Sequence, residues 1–332
     1  MLSLPFSSDR LGMLKVFNCH THTVFGGCNE NVGLAHSELL HGTDNAVVVD
    51  TAVVIATRWG WSFYHWIIEE LPRLAYVAHM LAEDPNLQVI AHDFPENRLM
   101  FELLGVSADR IVAVHRNQMF FVRRLYVPPV AHCGRPALTA SRHYRESLRR
   151  GLEKRGIIKN GSAMESGKGD GEEGEDGGES MLPGHVVVIQ RWGGRRTANQ
   201  AQLLDALRGS FPRLSFVQYG PEPASLETTG RVFAQARGII AVHGAGISNV
   251  VFSQSGAFLI EIHPRGSNQQ THPNICHQGT AEIFGVRHTL LWVREGSFNA
   301  DVVVPIPEVV AAVCRFEGGP LATCTEEMLR EV

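Results

Sequence analysis

Residues 238–264 read GIIAVHGAGISNVVFSQSGAFLIEIHP, and this stretch decides the fold class. Two apolar runs, 238–242 and 257–262, flank a glycine-rich turn at 243–246 and a short helix-like segment at 247–254. Runs that are apolar throughout are typical of strands covered on both faces of a parallel sheet. Such sheets bind ligands beyond the carboxyl ends of their strands. The stretch therefore predicts a strand, a turn, a short helix and a second strand, with His243 and its neighbours at a ligand-binding edge.

The residues of this edge suit a nucleotide. Gly244 and Gly246 lack a Cβ, so a phosphate can approach the backbone and the N–H groups that open the following helix. Ser248 and Asn249 add hydrogen-bonding groups, and Glu261, predicted to end the second strand, suits the two hydroxyls of a ribose. The alternative is structural: the glycines only form a tight turn and Glu261 is a solvated strand end.

Length and composition predict two domains and a linker. A chain of 332 residues exceeds the usual size of one core, and 44% hydrophobic residues suit a soluble α/β protein. Residues 159–184 contain seven acidic residues and two lysines, a net charge of −5. The whole chain has a net charge of −4, so the remaining residues together have +1. Glycine and acid without aromatic residues cannot form a core, which predicts a disordered linker or insertion. We expect domains at 1–158 and 185–332, and neither is basic enough to favour nucleic acid.

No membrane span or targeting segment is visible in this sequence. The apolar runs are shorter than a span requires, and residues 1–15 lack a charged start followed by an apolar region. Six cysteines without a CxxC pair leave the redox compartment open.

One alternative function comes from the N-terminal region. His20 and His22 form a His-x-His pair that resembles the opening motif of metal-dependent amidohydrolases, which would make the protein a metallohydrolase. The later metal-ligand segments of such a barrel are not recognisable, so this is the weaker interpretation.

A candidate acid–base pair lies in residues 58–82. Apolar positions there recur at helical spacing after Ser62, and Pro72 predicts a kink. His65 and Glu69 are four residues apart, hence on one helix face, where the carboxylate can orient the imidazole. The neighbouring tryptophan and tyrosine rings suit a sugar. The alternative is that these aromatic residues belong to the core and His65 only packs.

A basic loop follows the strand predicted at 185–190. Arg191, Arg195 and Arg196 lie between that strand and a helix predicted at 199–208, so they face the same edge as the HGAG turn. Arginine forms two-pronged, charge-assisted bonds to phosphate, which favours a diphosphate here over a merely solvated basic turn. Strands and helices alternate along the rest of the chain, which predicts parallel sheets joined by crossovers.

Three segments together resemble glycosyltransferase family 61. They are FYHWIIE at 63–69 with LPRL at 71–74, VIQR at 188–191 with Arg195 and Arg196, and HGAGISN at 243–249 running to Glu261. The family includes plant xylosyl- and arabinosyltransferases and animal O-linked N-acetylglucosaminyltransferases of the secretory pathway. Gln190 stands where the family usually has serine, and the acidic insertion before it is atypical.

The resemblance implies a GT-B-like fold, two Rossmann-like domains whose parallel sheets face a central cleft, with the donor in the C-terminal one. It implies inverting transfer from a UDP-sugar (xylose, arabinose or N-acetylglucosamine) to a glycan or glycoprotein hydroxyl. It also implies the Golgi or endoplasmic reticulum lumen, although family members carry an N-terminal membrane anchor that is not visible here.

Site residues are carried over onto this sequence. Since no Asp-x-Asp occurs, we expect a metal-independent enzyme without cofactors, in which arginines and a helix start stabilise the leaving UDP. His65, supported by Glu69, is the candidate base. The predicted donor-binding residues are Arg191, Arg195, Arg196, His243, Gly244, Ala245, Gly246, Ser248, Asn249 and Glu261. A non-catalytic member of the same fold that binds a glycan or nucleotide is the alternative within the family.

Overall fold

The computed structural model describes residues 2–4, 16–18, 23–25, 46–57, 59–115, 119–130, 136–158, 184–191, 193–222, 224–264, 273–293 and 300–317. The chain divides into two compact units, Met1–Gly151 and Leu152–Val332. His20, His22 and almost all of the predicted linker at 159–184 lie outside the described residues.

Unit 1 is built on a sheet with a parallel centre. Its strands are β1 (Leu2–Leu4), β2 (Val16–Asn18), β3 (Thr23–Phe25), β4 (Ala46–Val54), β5 (Gln88–Ala91), β6 (Ile111–Ala113) and β7 (Met119–Tyr126). The order is β3-β2-β1-β7-β4-β5-β6. Strands β7, β4, β5 and β6 run parallel, as predicted, whereas β1, β2 and β3 pair antiparallel. Three-residue strands are too short to show a period in the sequence, so this antiparallel edge was not predicted.

The helix predicted at 58–82 is a series of short turns. It begins at Phe63 with α1 (Phe63–His65) and continues as a π-helical turn (Trp66–Glu70), a 3₁₀ helix (Leu71–Tyr76) and α2 (Ala78–Glu83). Pro72 lies at the start of the 3₁₀ helix, where its missing N–H costs little. The change of winding at Trp66–Glu70 is a π-bulge, a feature frequent at functional sites. The helices that complete unit 1 are α3 (Leu99–Leu103) and α4 (Leu138–Lys154), and α4 reaches past the unit boundary.

Unit 2 has a fully parallel sheet among its described residues. Its strands are β8 (His185–Ile189), β9 (Ser215–Tyr219), β10 (Ala236–Val242), β11 (Phe258–Pro264) and β12 (Arg287–Val293), in the order β12-β11-β10-β8-β9. The helices are α5 (Gln200–Ser210), α6 (Leu226–Ala234), α7 (Cys276–Ile283) and α8 (Ile306–Glu317). Strand residues such as Val188, Ile240 and Ile260 form one buried cluster with Leu207 and Val309. The apolar composition of these strands thus results from burial, as the sequence predicted.

The stretch at 238–264 folds as predicted in outline and differs in two details. The segment after the turn is a 3₁₀ helix, Ala245–Phe252, rather than an α-helix. Strand β11 continues to Pro264 because His263 and Pro264 still pair with β12. The prediction that Glu261 ends the strand is therefore wrong: Glu261 lies inside β11, opposite Ala241 of β10.

The fold class is α/β, with two Rossmann-like units that each contain a sheet of parallel strands joined by helical connections. This confirms the fold class predicted from the sequence. In both units the loops beyond the carboxyl ends of the parallel strands carry the polar side chains considered next.

Candidate active site

Two arginines of unit 2 meet at the HGAG turn. β8 and β10 are parallel neighbours, with Ile189 paired to Ala241, so the loops that follow them leave the same edge of the sheet. The guanidinium groups of Arg191 and Arg195 both donate to the backbone carbonyl of His243, at 2.9 and 3.0 Å. Two cationic side chains therefore converge where strand β10 ends.

Charge is concentrated at this point. Burial, together with the nearby charge of Arg195, lowers the pKa of Arg191 to about 10. Within the described residues, the Arg191 side chain donates only to carbonyl oxygens, those of Gly194 and His243, and to no carboxylate. Neutral carbonyls do not balance the guanidinium charge of Arg191, so an anion placed here would be stabilised by it.

Gly244 is required for this arrangement. A Cβ at Gly244 would lie 1.3 Å from a terminal guanidinium nitrogen of Arg191, so any other residue would displace that side chain. Gly246 differs, because a Cβ there would make an ordinary 3.6 Å contact with Ile189. The first glycine of the turn thus makes room for Arg191, and the second is not needed for space within the protein.

Arg196 faces a different partner. Its guanidinium forms an ion pair with Asp301: Nε and a terminal nitrogen donate to Asp301 Oδ2, at 3.1 and 2.7 Å. Backbone bonds reinforce the contact: Val302 N–H donates to the Arg196 carbonyl at 2.8 Å and Ala198 N–H to the Val302 carbonyl at 2.8 Å. The Asn199 side chain then exchanges two bonds with the backbone of Val304. The segment 300–304 therefore fastens the arginine loop, and a direct contact of Arg196 with the donor stays a prediction.

The first residues of the 3₁₀ helix are more accessible than the polar side chains that follow them. Ala245 and Gly246 are half-buried, whereas Ser248 and Asn249 are buried. Asn249 donates to the Gly246 carbonyl at 3.1 Å, which holds the turn closed. Among the described residues, Ser248 Oγ and Asn249 Oδ1 have no hydrogen-bond partner, so this helix contains two buried acceptor atoms next to the turn.

Glu261 is a buried carboxylate held by two histidines. It is completely buried and accepts hydrogen bonds from His243 Nδ1 and from His288 Nε2, the latter at 2.8 Å. Burial alone would raise the pKa of Glu261, but the bonds from His243 and His288 outweigh it and hold the pKa at about 2. Both oxygens are thus occupied within the protein, and direct contact of Glu261 with a ribose stays a prediction.

More imidazoles surround His243. The rings of His263 and His277 lie 4.4 and 5.1 Å from its ring, centre to centre. Burial lowers the pKa of His277 to about 3, so this ring is neutral at physiological pH. His243, His277 and the adjacent Cys276 each offer a ligand atom, and these three atoms lie within 4.8 Å of one another.

In unit 1, His65 and Glu69 form the pair predicted from their spacing. His65 Nδ1 lies 2.7 Å from Glu69 Oε2, with 24% of the His65 side chain exposed and 2% of that of Glu69. The rings of Tyr64 and Trp59 lie 5.1 and 6.3 Å from the imidazole. A buried carboxylate thus holds a partly exposed histidine among aromatic rings, which is the arrangement that a general base requires.

A second pair, Glu70 and His92, was not predicted. Glu70 is fully buried and accepts bonds from His92 Nδ1 at 2.8 Å, His92 N–H at 2.7 Å and Thr57 N–H at 3.1 Å. Burial would lower the pKa of His92, but the charge and hydrogen bond of Glu70 raise it above its usual value. Because Thr57 and His92 follow β4 and β5, Glu70 joins the ends of two neighbouring strands.

The comparison with known families decides the identity. The family described as Glycosyltransferase 61 matches residues 63–260, which begin at the His65 segment and include the arginine loop and the HGAG turn. The chain belongs to glycosyltransferase family 61. The resemblance stated from three segments is thereby confirmed, and the protein is a glycosyltransferase.

Other comparisons are more distant. This family 61 glycosyltransferase is similar to the solved structure of E. coli heptosyltransferase WaaC with ADP, at 10% identity and a TM-score of 0.40. The similarity covers 82% of this chain and 99% of that one. No curated protein matches the sequence.

Some residues of the family 61 site had no separate sequence signal. Glu70 stands beside Glu69 in an otherwise apolar helical segment, and an acid among buried residues indicates a partner, but its partner His92 lies 22 residues away. His277 and His288 reach His243 and Glu261 from separate elements, so only the fold brings them together. In the part of the chain that the structure describes, no helix has both the length and the apolarity for a membrane span.

Proposed function

We propose that this glycosyltransferase moves xylose, arabinose or N-acetylglucosamine from a UDP-sugar to a glycan or glycoprotein hydroxyl, with inversion at the anomeric carbon. No metal contacts the diphosphate in this proposal, because fixed cationic side chains supply the positive charge. The observation that carries it is the convergence of Arg191 and Arg195 on the His243 carbonyl.

The arginines have the arrangement that a leaving diphosphate requires. As the bond between the anomeric carbon and the phosphate oxygen breaks, its electron pair moves to that oxygen, and negative charge grows there. Arg191 and Arg195 are held in advance and have lost part of their hydration, since burial lowers the pKa of both. Preorganised charges in such surroundings stabilise a developing anion more than mobile ones in water.

The turn after β10 completes the donor site. Gly244 gives space to Arg191, while Ala245 and Gly246 present the half-buried start of the 3₁₀ helix to the phosphates. Ser248 and Asn249 provide the buried acceptors behind it. Arg196 takes part indirectly in this proposal, because its ion pair with Asp301 anchors the loop that carries the other arginines.

Glu261 and His243 have linked parts in this proposal. Glu261 fixes the His243 ring, and the His243 carbonyl fixes both arginines. The buried carboxylate thus acts on the donor through His243, as a positioning residue, in addition to the ribose contact that the family resemblance implies.

On the acceptor side, His65 is the proposed base. Its partly exposed imidazole takes the proton of the acceptor hydroxyl while that oxygen attacks the anomeric carbon. Glu69 orients the imidazole and stabilises the positive charge that it gains, as a positioning residue.

The proposed compartment is the lumen of the Golgi or endoplasmic reticulum. Family 61 is generally a secretory-pathway family. Cys314 of α8 is disulfide-bonded, and disulfides persist mainly in oxidising compartments.

The test is Arg191→Ala in the full chain, with Arg213→Ala, an exposed arginine of unit 2, as the control. Thermal shift against UDP, GDP and CMP measures nucleotide binding, and UDP release from UDP-sugars measures turnover. Of the three nucleotides, we expect only UDP to stabilise the wild type. We expect Arg191→Ala to lose about 2–4 kcal/mol of transition-state stabilisation, the scale of one preorganised hydrogen-bond donor. Unchanged turnover and UDP binding in Arg191→Ala would reject the donor assignment.

A further inference from the structure

Three side chains with nitrogen or sulfur ligands converge between the end of β10 and the start of α7. His243 is the first residue after β10, and Cys276 and His277 are the first two of α7. One ligand atom from each lies within 4.8 Å of the other two. Two imidazoles and a thiol are a ligand set that favours Zn²⁺ over the hard cations Mg²⁺ and Ca²⁺.

The spacing is close to that of a bound ion. Zinc–nitrogen and zinc–sulfur bonds of about 2.0–2.3 Å place tetrahedral ligand atoms roughly 3.3–3.8 Å apart. The ligand atoms here lie within 4.8 Å of one another, so they would move together by at most about 1–1.5 Å to bind the ion. Cys276 is half-buried, whereas His243 and His277 are buried, so the Cys276 side chain has the most freedom to adjust to an ion.

His243 already has the support typical of a metal ligand. Its Nδ1 donates to Glu261, which fixes the ring and its tautomer and places the lone pair on Nε2. Glu261 is fixed in turn by His288 at 2.8 Å. A carboxylate that accepts from the far nitrogen of a histidine is the usual partner of a zinc-bound imidazole, because it orients the ring and makes the near nitrogen a better donor.

The charges also match. Zinc bound by one thiolate and two neutral imidazoles has a net charge of +1. The buried Glu261 carboxylate, which is hydrogen-bonded to His243, supplies a charge of −1. Among the described residues, the hydrogen-bond partners of this carboxylate are two imidazoles, those of His243 and His288.

We propose that His243, Cys276 and His277 bind one Zn²⁺, with Glu261 supporting His243 and water as the fourth ligand. The ion joins the HGAG turn to α7 and holds the residue whose carbonyl positions Arg191 and Arg195. No step of sugar transfer passes through the ion, and the proposal does not depend on the donor or the acceptor.

The test is the zinc content of the purified full chain, measured by mass spectrometry after gel filtration. We expect about one zinc per chain in the wild type, and a loss of at least tenfold in content in Cys276→Ser and in His277→Gln. The matched control is the double variant His20→Ala/His22→Ala, which removes the other candidate ligands and should keep its zinc. Glu261→Gln should weaken zinc affinity by about 10–100-fold, the usual effect of losing a supporting carboxylate.

Cobalt substitution tests the ligands directly. Co²⁺ in place of zinc should show a thiolate charge-transfer band that Cys276→Ser abolishes while its circular dichroism stays unchanged. Because Cys276 is half-buried, this variant keeps the fold even if His277→Gln does not. Absence of zinc and of a cobalt spectrum in the wild type, or their retention in Cys276→Ser, would overturn the proposal.

UDP binding keeps this result separate from the donor assignment. A wild type that binds UDP but no zinc refutes the zinc site alone. A wild type that holds zinc but does not respond to UDP refutes the donor assignment alone.

Discussion

The carboxyl edges of the two parallel sheets handle charge in opposite ways. In unit 1, Glu69 pairs with His65 and Glu70 with His92, so each carboxylate has its own histidine. In unit 2, one carboxylate, Glu261, serves two histidines. Arg191 and Arg195 there are held by carbonyl oxygens instead.

This difference indicates what each edge is for. Paired carboxylates and histidines can move protons without needing a charged ligand, which suits activation of a neutral hydroxyl. An edge where the Arg191 guanidinium contacts neutral carbonyls is stabilised by an anion, which suits a diphosphate. In the proposed function the edge of unit 1 activates the acceptor and the edge of unit 2 binds the donor, and three substitutions test this contrast.

The largest effect is expected for Glu261→Ala. The change leaves the buried His243 and the half-buried His288 without their common acceptor, and removing one partner of a buried ion pair costs about 3–5 kcal/mol of unfolding free energy. Glu69→Ala in unit 1 is the matched variant, where water can solvate the partly exposed His65, so we expect a loss of about 1 kcal/mol. Urea denaturation with a chelator present measures both. Equal losses would show that the two edges do not differ in this way.

Next is His65→Gln, which keeps a polar side chain but removes the proton acceptor. Loss of a general base lowers turnover about 100-fold or more, about 2.7 kcal/mol, with little change in UDP affinity. His79→Gln, an exposed histidine on α2, serves as the control. Steady-state UDP release with acceptor present gives kcat and KM for each. Wild-type kcat in His65→Gln would remove the acceptor role from this pair, and His92 would be the next residue to test.

The smallest effect is expected for Gly244→Ala. The added methyl group occupies the position of the Arg191 guanidinium and forces that side chain away from the His243 carbonyl. We expect UDP affinity to fall about tenfold, or about 1.4 kcal/mol, as measured by calorimetry. Gly246→Ala has room for its methyl group beside Ile189 and should bind UDP within about twofold of the wild type. If both variants bound UDP equally, Arg191 would not be the group that the glycine accommodates.

The sequence predicted the parts of this site that lie close together along the chain. The apolar runs around 243–246 predicted both strands and the turn, and the spacing of His65 and Glu69 predicted their pair, because neighbours four apart share a helix face. The apolar strands also predicted the parallel sheet of unit 2. These inferences rest on local geometry, which follows from the spacing of residues along the sequence.

Contacts between distant segments could not be predicted in the same way. His288 reaches Glu261 across 27 residues, and Asp301 reaches Arg196 across 105. Nothing in the local sequence distinguishes Arg196, which pairs with Asp301, from Arg191 and Arg195. The apolar run at 257–262 predicts that the strand ends near Glu261, yet pairing with β12 extends β11 to Pro264. Pairing between distant segments determines these partners and strand ends. Residue spacing in a single sequence does not predict such pairing.

The fastening of the arginine loop by residues 300–304 sets a limit on how far the chain can be shortened. Hydrogen bonds fix the arginine loop to a segment about a hundred residues later in the chain. That segment contributes Asp301, Val302 and Val304. A form that stops before them would keep the family 61 match at 63–260, yet leave Arg196 and Asn199 without these partners. Expression of unit 2 should therefore extend at least through Val304, beyond the end of the family 61 match at residue 260.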